Sequence, residues 1–535
     1  MKFLGRPTTT SQNLQLKNTV ISLTKKLTEY GKAGELQKAM NLFEEMPHRN
    51  QVSWNAMLTI LLQSNKFIEA ENVFEKMPLR NSTSYTTMIA GLSRSGFVAE
   101  ARKVFDSIPV LEQNVFSWTA MISSYTHNGQ HFDALKLFSI TCGEFFPWIL
   151  PNSFTFSTLL KSCLDVGSLV MAMQLHGLTV KILNEQDKEN VYVQNCLVDL
   201  HSKLGNLGDA ENVFNGLMWK DLSTWNVMMD AYARNLMIDK ALVIFDSMEE
   251  KDTLSWNIMI SGFAECGRGI EALDFFLRLC RLQGPGTYPN SSTFTIALTI
   301  CGTYSMLNTG IQLHACVLKH GLTEGYSYTG NSLINMYMKC GSIEESEKLF
   351  YEMPRRDVIS WNSLILGLGQ NGLSKKAIEI GEKALSLGIY NHNTFTALLT
   401  TCSHGGLVDE GIEYFGAMSK SSGIEPFLDH YVCVIDMLGR AGKVVEAHDF
   451  LRKMPISPNA IAWSTLLNAC LVHGNKEIGE VAARELRILE PSNSVSYVML
   501  GNLYRKTGHF EESRQILELM NKIDLKKEKG ISWTL

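Results

Sequence analysis

The stretch VSWNAML at residues 52–58 has three near-copies: FSWTAMI at 116–122, LSWNIMI at 254–260 and ISWNSLI at 359–365. Around these stretches, apolar residues recur at spacings of three and four, which is the spacing of one face of an α-helix and not of a strand. A single helical unit cannot bury its apolar face alone, so a chain that repeats the unit is typical of a stacked repeat architecture.

The polar residue that follows the aromatic, Asn55 in the first copy, serves as an anchor for each repeat. Neighbouring anchors lie 31 to 38 residues apart. A period of this length over thirteen units predicts a solenoid of helical pairs. The anchors are Thr24, Asn55, Thr86, Thr119, Ser157, Asn195, Asn226, Asn257, Thr295, Asn331, Asn362, Thr396 and Val432.

Each unit is interpreted as two helices joined by a short polar turn. In the second unit Ser53 is placed to cap the first helix, and Ala70, Phe74 and Met77 mark the apolar face of the second. The predicted fold is all-α: one right-handed α-solenoid superhelix of about thirteen helix-turn-helix repeats, followed by two helical C-terminal motifs. The predicted segments are an N-terminal extension at 1–19, repeats at 20–50, 51–81, 82–114, 115–152, 153–190, 191–221, 222–252, 253–290, 291–326, 327–357, 358–391, 392–427 and 428–459, and a C-terminal region at 460–535.

Composition narrows the class of protein. The 535 residues carry a net charge of −5, and no apolar run is long enough to cross a membrane. The 11 cysteines are scattered with no C-x-x-C, which argues against a disulfide framework or a zinc ribbon. The first 28 residues are basic and rich in hydroxyl groups, with no acidic residue, as in an organelle transit peptide; an ordinary N-terminus is the alternative.

A second column of small polar residues accompanies the anchors. The last residue of each repeat lies in a connecting loop, at the same end of the unit as the anchor. Asn and Asp are common in turns, so turn chemistry alone is one explanation of this column. Asn is a poor helix former, however, and its recurrence at one helical position favours a function. The column reads Asn50, Asn81, Asn114, Asn152, Asn190, Asp221, Asp252, Asn290, Tyr326, Asp357, Asn391, Phe427 and Asn459.

Two small polar side chains per repeat match a known mode of RNA recognition, in which two or three side chains read one base per helical repeat. The second residue of many repeats is apolar and could wedge between successive bases, where stacking on an aromatic contributes about 1–3 kcal/mol. These second-position residues are Val52, Phe116, Phe154, Tyr192, Leu254, Tyr328 and Ile359.

The units resemble pentatricopeptide repeats of the plant PLS subclass. Trp-Asn entries and the exits EEMPHRN, EKMPLRN and YEMPRRD carry the resemblance, and the segment 330–365 is especially specific. It extends over roughly residues 20–535. Residues 462–491 resemble a first E motif and residues 497–535 a second, although Lys529 and Ile531 depart from the usual ending of that motif.

The resemblance implies a sequence-specific factor that binds single-stranded organellar RNA and marks a cytidine for editing to uridine. The sequence ends where relatives continue into a DYW deaminase domain, so the expected partners include a DYW-type deaminase acting in trans and multiple organellar RNA editing factor proteins. No cofactor and no membrane are expected. The expected location is the mitochondrion, with the chloroplast as the alternative. Intron splicing or transcript stabilisation is an alternative outcome of RNA binding.

The family's pairing rule assigns bases to nine pairs. Thr24/Asn50, Thr86/Asn114 and Thr119/Asn152 imply A; Asn195/Asp221, Asn226/Asp252 and Asn331/Asp357 imply U; Asn55/Asn81, Asn257/Asn290 and Asn362/Asn391 imply a pyrimidine, usually C. No base is assigned to the long repeats Ser157/Asn190, Thr295/Tyr326 and Thr396/Phe427, nor to Val432/Asn459. The expected site is A-Y-A-A-?-U-U-Y-?-U-Y-?-?, read 5′ to 3′.

Enzyme chemistry finds little support in the sequence. A zinc deaminase requires H-x-E together with P-C-x-x-C. His509-Phe510-Glu511 spells H-x-E, but it lies in a helical pattern and no C-x-x-C accompanies it. The chain is therefore expected not to be an enzyme. A protein-binding solenoid of the tetratricopeptide kind is the alternative of another class, and the acidic net charge favours it.

Overall fold

Side-chain caps start the first helix of nearly every repeat in the computed structural model. The structure describes residues 9–141, 150–183, 190–282, 287–320, 326–491 and 493–522. Within these ranges the regular structure is helical, and the nearest thing to a strand is an isolated bridge residue at Thr287. The prediction of an all-α solenoid is thereby confirmed, whereas the handedness of the superhelix stays a prediction.

The chain divides into two units, Met1–Cys266 and Gly267–Leu535. In the numbering used here, odd numbers denote the first helix of a repeat and even numbers the second. The helices of the first unit are α1 (Thr9–Lys32), α2 (Leu36–Glu45), α3 (Gln51–Gln63), α4 (Phe67–Glu75), α5 (Ser82–Arg94), α6 (Val98–Asp106), α7 (Val115–His127), α8 (His131–Thr141), α9 (Ser153–Val166), α10 (Leu169–Ile182), α11 (Val191–Lys203), α12 (Leu207–Gly216), α13 (Leu222–Arg234), α14 (Ile238–Ser247) and α15 (Thr253–Glu265), with a short 3-10 helix at Val110–Glu112.

The second unit continues the same alternation. Its helices are α16 (Gly269–Arg281), α17 (Ser291–Thr303), α18 (Leu307–Lys319), α19 (Tyr326–Lys339), α20 (Ile343–Glu352), α21 (Val358–Gln370), α22 (Ser374–Ser386), α23 (His392–Gly405), α24 (Val408–Ser421), α25 (Leu428–Arg440), α26 (Val444–Arg452), α27 (Ala460–His473), α28 (Lys476–Leu489), α29 (Val495–Lys506) and α30 (Phe510–Lys522). None of the described helices is long and apolar enough to cross a membrane.

The first helix of a repeat begins at the loop-column residue. Asn50 Oδ1 accepts a hydrogen bond from the backbone N–H of Ser53 at 2.8 Å, and Asp357 Oδ1 accepts one from Ser360 at 2.8 Å. Asn and Asp are among the best residues for this N-cap position, because their oxygen satisfies a backbone donor that has no partner within the helix. The prediction that Ser53 is the cap is therefore wrong: Asn50 is the cap, and Ser53 is the third helical residue.

The turn inside each helical pair needs one residue with left-handed backbone. At the end of α5, Gly96 takes a φ of 82°, the N–H of Phe97 donates to the carbonyl of Leu92, and the N–H of Gly96 donates to that of Ser93. This is a Schellman motif, which glycine forms without steric cost. Leu236 occupies the equivalent place after α13 with a φ of 58°, a conformation rare for a residue with a Cβ.

A basic residue often closes the exit from the second helix. Arg49 donates to the carbonyls of Phe43 and Glu44 at 2.8 Å each, and its guanidinium lies 4.9 Å from the centre of the Phe43 ring. Arg80 repeats this arrangement at the end of α4. Such cations satisfy carbonyls at the negative end of the helix. The contact explains the basic residue of the MP-x-R exits that the sequence repeats.

Buried apolar side chains form extended clusters, one of which runs from Val20 to Leu200 in the first unit. Within the second unit, one apolar cluster extends from Leu399 through Leu438 and Leu467 to Leu503. It joins the last repeats to the C-terminal region without a break. Neighbouring first helices approach closely where a glycine faces a small residue, as Gly439 on α25 faces Ala469 on α27.

The contact between α25 and α27 gives a test of this packing. A Cβ at Gly439 would lie 2.6 Å from the Cβ of Ala469, a methyl group that cannot rotate away. We expect Gly439→Ala to lower the free energy of unfolding by about 1–3 kcal/mol, because the two helices must separate. The measurement is urea unfolding followed by far-ultraviolet circular dichroism.

The matched control is Gly416→Ala on α24, where an added Cβ meets no atom within 4 Å. Alanine is the better helix former by about 1 kcal/mol, so this variant is expected to be as stable as the parent protein or more stable. Equal behaviour of the two variants would contradict the packing argument.

The N-cap gives a second test, at Asp357. Burial acts to raise the pKa of this carboxyl, but hydrogen bonds from the backbone and hydroxyl of Ser360 and from Asn331 outweigh it, so the pKa lies below its ordinary value. Asp357→Ala should lower the free energy of unfolding by about 1 kcal/mol at neutral pH, whereas Asp357→Asn should retain most of the stability.

The pH dependence of this effect has a defined sign. Because the folded state lowers the carboxyl pKa, the stabilisation by the carboxylate is complete above the unfolded value of about 3.9 and is lost as the pH falls through the lowered pKa. The difference between Asp357→Ala and the parent protein should therefore shrink in acid. Unfolding midpoints at a series of pH values measure this, and a variant Asp357→Asn as damaged as Asp357→Ala would argue against capping.

Candidate nucleic-acid interface

From Asn55 onward the anchors lie near the N-terminal end of the first helices, in most repeats five residues after the cap, whereas Thr24 lies well inside α1. Asn55 follows its cap Asn50 in this way, and Asn226 follows Asp221. Asn226 is almost fully buried, with 4% of its surface exposed. A buried amide in this place needs hydrogen-bond partners, and the structure supplies them from two directions.

The first partner is the loop-column residue that ends the same repeat. The anchor Nδ2 lies 3.5 Å from the loop-column Oδ1 in the Asn55–Asn81 pair. The same contact recurs at 3.3 Å in Asn226–Asp252, at 3.2 Å in Asn331–Asp357 and at 3.3 Å in Asn362–Asn391. Two columns that the sequence places 26 or 29 residues apart thus meet at one point in four repeats.

The second partner comes from the next repeat. The hydroxyl of Ser84 lies 2.8 Å from Asn55 Oδ1, and that of Ser255 lies 2.7 Å from Asn226 Oδ1. The amides of Asn55 and Asn226 are therefore held on the nitrogen side by their own repeat and on the oxygen side by the following one, whereas the side-chain oxygens of Asn331 and Asn362 are buried without a hydrogen-bond partner among the described residues. The sequence shows this Ser/Thr column, but a Ser at this place also suits a helix cap, so the sequence alone does not indicate its contact with the anchor.

The remaining predicted pairs are arranged differently. Thr24 and Thr86 each use their hydroxyl to donate to a carbonyl of their own helix, and Thr119 shares a hydrogen bond with Thr155 of the next repeat. No hydrogen bond joins these threonines to Asn50, Asn114 or Asn152 in the described part of the chain. Their loop-column partners all serve as caps.

Two further pairs differ again. Asn195 Oδ1 is buried without a hydrogen-bond partner among the described residues, and Asp221 bonds to Thr224 instead. In the pair Asn257/Asn290 the two residues belong to different units, so each is described within its own. Asn257 lies on α15, which Asp252 caps, and Asn290 caps α17.

A further residue contacts the loop column in two repeats, and sequence reasoning did not identify it. It is the first residue of the repeat: Gln51 Oε1 lies 3.4 Å from Asn81 Nδ2, and Ser82 Oγ lies 2.8 Å from Asn114 Nδ2. The type of this residue varies along the chain, so no column of identical residues marks it in the sequence.

The electrostatics of the site centre on the carboxylates. Burial acts to raise the pKa of Asp252, but the backbone N–H of Ser255 and the amide of Asn226 donate to the carboxylate, and the Ser255 hydroxyl, shared with Asn226 Oδ1, lies 2.7 Å from it; together they lower the pKa below its ordinary value. Asp252 is therefore ionised at neutral pH. It lies at a helix N-terminus, where the macrodipole favours negative charge.

The apolar second-position residues are exposed to solvent beside these pairs. Between half and three quarters of the surface of each is accessible, although all are large apolar side chains. Each lies three residues before the anchor, at the second helical residue or, for Tyr328, the third. A row of exposed apolar side chains next to buried polar ones is typical of a binding surface. The row consists of Val52, Phe116, Phe154, Tyr192, Leu254, Tyr328 and Ile359.

The long repeats and the last short repeat have no Asn at the anchor, so they lack the hydrogen bond from an anchor amide to the loop column. Ser157 donates to the carbonyl of Phe154 within its helix. At Thr396/Phe427 the cap itself changes, because Phe427 has no side-chain acceptor. The side chain of Tyr326 lies outside the described residues, as do the segment 523–535 that closes the second predicted E motif and residues 1–8 of the predicted transit peptide.

The H-x-E triplet makes ordinary helix-end contacts. His509 Nδ1 lies 3.0 Å from Thr507 Oγ1, and Glu511 pairs with Arg514 at 2.9 Å on the surface of α30. Across the residues that the structure describes, His, Cys, Asp and Glu nowhere form a group of three suited to hold a metal ion.

Comparison with protein families identifies two kinds of motif. The model described as PPR repeat matches residues 27–50, 52–82, 83–110, 116–140, 223–253, 254–283, 331–358, 359–389, 393–422 and 429–457. The model described as E motif matches residues 473–534. Helical pairs are also present where no repeat match is found, as at α9 with α10 and at α17 with α18. The repeat model describes a structural unit and not a catalytic domain.

Similar curated proteins come from Arabidopsis thaliana. One pentatricopeptide repeat-containing protein is 32% identical over 97% of this chain and 67% of its own length. Another, named as mitochondrial, is 34% identical over 79% of this chain, and a third, named as chloroplastic, is 32% identical over 79%. The chain spans 60% and 45% of the lengths of these last two.

Similar solved structures include the pentatricopeptide repeat protein PPR10 from maize, at 18% identity, 98% coverage of this chain, 92% of that chain and a TM-score of 0.42. PPR10 in complex with an 18-nt psaJ RNA element aligns at 16% identity, 95% and 80% coverage and a TM-score of 0.45. The assignment of the family rests on the matches along the sequence and not on these superpositions. Ten matched repeats and a relative 32% identical over two thirds of its own length show that the chain belongs to the pentatricopeptide repeat family and carries an E motif.

Proposed function

We propose that the chain is a sequence-specific single-stranded RNA-binding protein in which the anchor and the loop-column residue of a repeat together read one base. The observation that carries the proposal is the contact between Asn226 and Asp252, repeated at three other pairs along the chain. Small polar groups held in fixed orientation, beside exposed apolar side chains, suit a base that is read at its edge and stacked on its face.

Selection of uracil follows from proton placement. Uracil carries a proton on N3, and cytosine offers none there. The Asp252 carboxylate, whose pKa is lowered, accepts hydrogen bonds and cannot donate one. A pair with Asp should therefore favour U, and a pair with Asn, whose amide both donates and accepts, should admit C.

Phosphate binding has to be reconciled with a net charge of −5. Successive first helices begin at their caps, at the same end of each repeat. A helix N-terminus attracts anions through the macrodipole and through the N–H groups that the cap leaves without a partner. Base contacts supply sequence preference without requiring a basic surface. The acidic composition therefore argues against tight nonspecific binding more than against specific recognition.

For the outcome of binding we propose C-to-U editing of organellar transcripts, with this chain as the site-recognition subunit and a DYW-type deaminase in trans. The support is the E motif at 473–534. Multiple organellar RNA editing factor proteins are the proposed accessory partners. The mitochondrion is the proposed location; relatives named as mitochondrial and as chloroplastic both match, which keeps the chloroplast as the alternative.

The base-reading proposal is tested at Asp252. Asp252→Asn keeps the N-cap and removes the acceptor-only group, so affinity should fall for U and rise for C at the seventh position of the expected site, by about tenfold in relative preference. Binding is measured with RNAs that differ only at that position. Neighbouring positions should be unaffected.

The matched control is Asp246→Asn, which makes the same charge change at an exposed residue of α14 in the same repeat. It should alter no base preference. If Asp252→Asn lowers the affinity for every RNA equally, or changes the affinity for none, the Asp residues of the loop column serve only the turn. A protein-binding solenoid is then the better interpretation.

The editing proposal is tested in the plant. In a line lacking the protein, sequencing of organellar transcripts should show one or a few C-to-U sites lost, each with the expected site a few nucleotides upstream. Reintroducing the parent gene should restore editing. Unchanged editing together with a retained intron or a transcript of reduced abundance would instead indicate splicing or stabilisation.

A further inference from the structure

The repeat 392–427 has a phenylalanine at the loop column, where most repeats have Asn or Asp. Phe427 stands where a capping Asn or Asp is usual, and 56% of its surface is exposed. Its ring is stacked on the ring of His392, with centroids 4.2 Å apart and planes 20° apart. His392 is the first residue of the same repeat, the position from which Gln51 and Ser82 contact the loop column elsewhere.

A buried histidine builds this stack. The backbone N–H of Phe427 donates to His430 Nδ1 at 2.9 Å, so Nδ1 carries no proton. His430 Nε2 then carries the proton and donates to the carbonyl of His392 at 3.0 Å. With 1% of its surface exposed, His430 ties both members of the stack to one point.

The stack takes the place of two features of other repeats: the polar contact with the loop column and the exposed apolar side chain. A polar contact between the first residue and the loop column becomes a ring-on-ring contact. The exposed apolar side chain of the second position is also missing here: it is Asn393 in this repeat and Asp429 in the next. Phe427 is therefore an exposed aromatic of this repeat, with His392 stacked on its ring and more than half of its surface accessible.

We infer that Phe427, supported by His392, is a stacking platform for the twelfth base of the bound RNA, which it holds by its face without reading its edge. This rests on the proposed RNA binding and adds a statement about one repeat that the pairing rule leaves without a base. Stacking on an aromatic ring tolerates every base, because every base has a π-face. The twelfth position should accordingly contribute affinity but no sequence preference.

The experiment uses the full chain and RNAs that match the expected site and differ only at the twelfth position: A, C, G, U or an abasic sugar. The parent protein should bind the four bases within about twofold of one another and the abasic RNA about tenfold more weakly, the loss of one stacking contact. Phe427→Ala should bind all five RNAs alike, at the level that the parent shows for the abasic one.

Two further variants separate stacking from folding. Phe427→Leu keeps apolar bulk and has no π-face, so it should lose most of the difference between base and abasic RNA while unfolding at the parent temperature. Phe427→Asn restores the usual cap and should introduce a preference among the four bases. The control Phe510→Ala, an exposed phenylalanine of the same unit on α30, should bind every RNA as the parent does.

Three results would overturn the platform: a parent protein that binds abasic RNA as well as the others, a parent that discriminates tenfold or more among the four bases at this position, or a Phe427→Ala variant that keeps the abasic penalty. If the parent binds none of the RNAs, the proposed function itself fails and the platform fails with it. Binding that responds to Asp252→Asn but not to Phe427→Ala rejects the platform alone.

Discussion

One hydrogen bond recurs through the molecule and positions everything near it: a side-chain oxygen at the start of a first helix accepts the backbone N–H three residues later. It decides where α3, α5 or α21 begins, and so fixes the anchor at the fifth helical residue. The same oxygen accepts from the preceding anchor amide in four repeats. The residue that starts a helix therefore also binds the candidate site, and for Asn55 and Asn226 consecutive repeats contact opposite sides of the amide.

The basic residues at the exits of the repeats cap helices. Arg49 and Arg80 bind the final carbonyls of their second helices and lie against aromatic rings, so they cap helices at the end opposite to the acidic and amide caps. Lys220 and Lys251 lie over Phe214 and Phe245 in the same way. In these four repeats a cation therefore lies at the negative end of the second helix, where the macrodipole favours positive charge.

Much of this could be predicted from the sequence, because period and residue type determine it. The spacing of the anchors indicated helical pairs, and exposed second-position residues such as Val52 and Phe116 were identified from their column. Ser53 was misplaced because Ser is also a good cap, and only the backbone geometry shows that Asn50 precedes it in this role. The contacts of Ser84 with Asn55 and of His430 with His392 join different repeats, and no local pattern in the sequence reports them.

The near-equivalence of Asn and Asp as helix caps has a consequence for how such a protein diverges. A change between the two at the cap position leaves helix initiation nearly intact, so it does not push the chain toward its stability threshold. If the same position chooses between bases, target preference can change by single substitutions that selection for folding does not see. A duplicated gene could then drift to a new transcript one repeat at a time, through intermediates that are all folded.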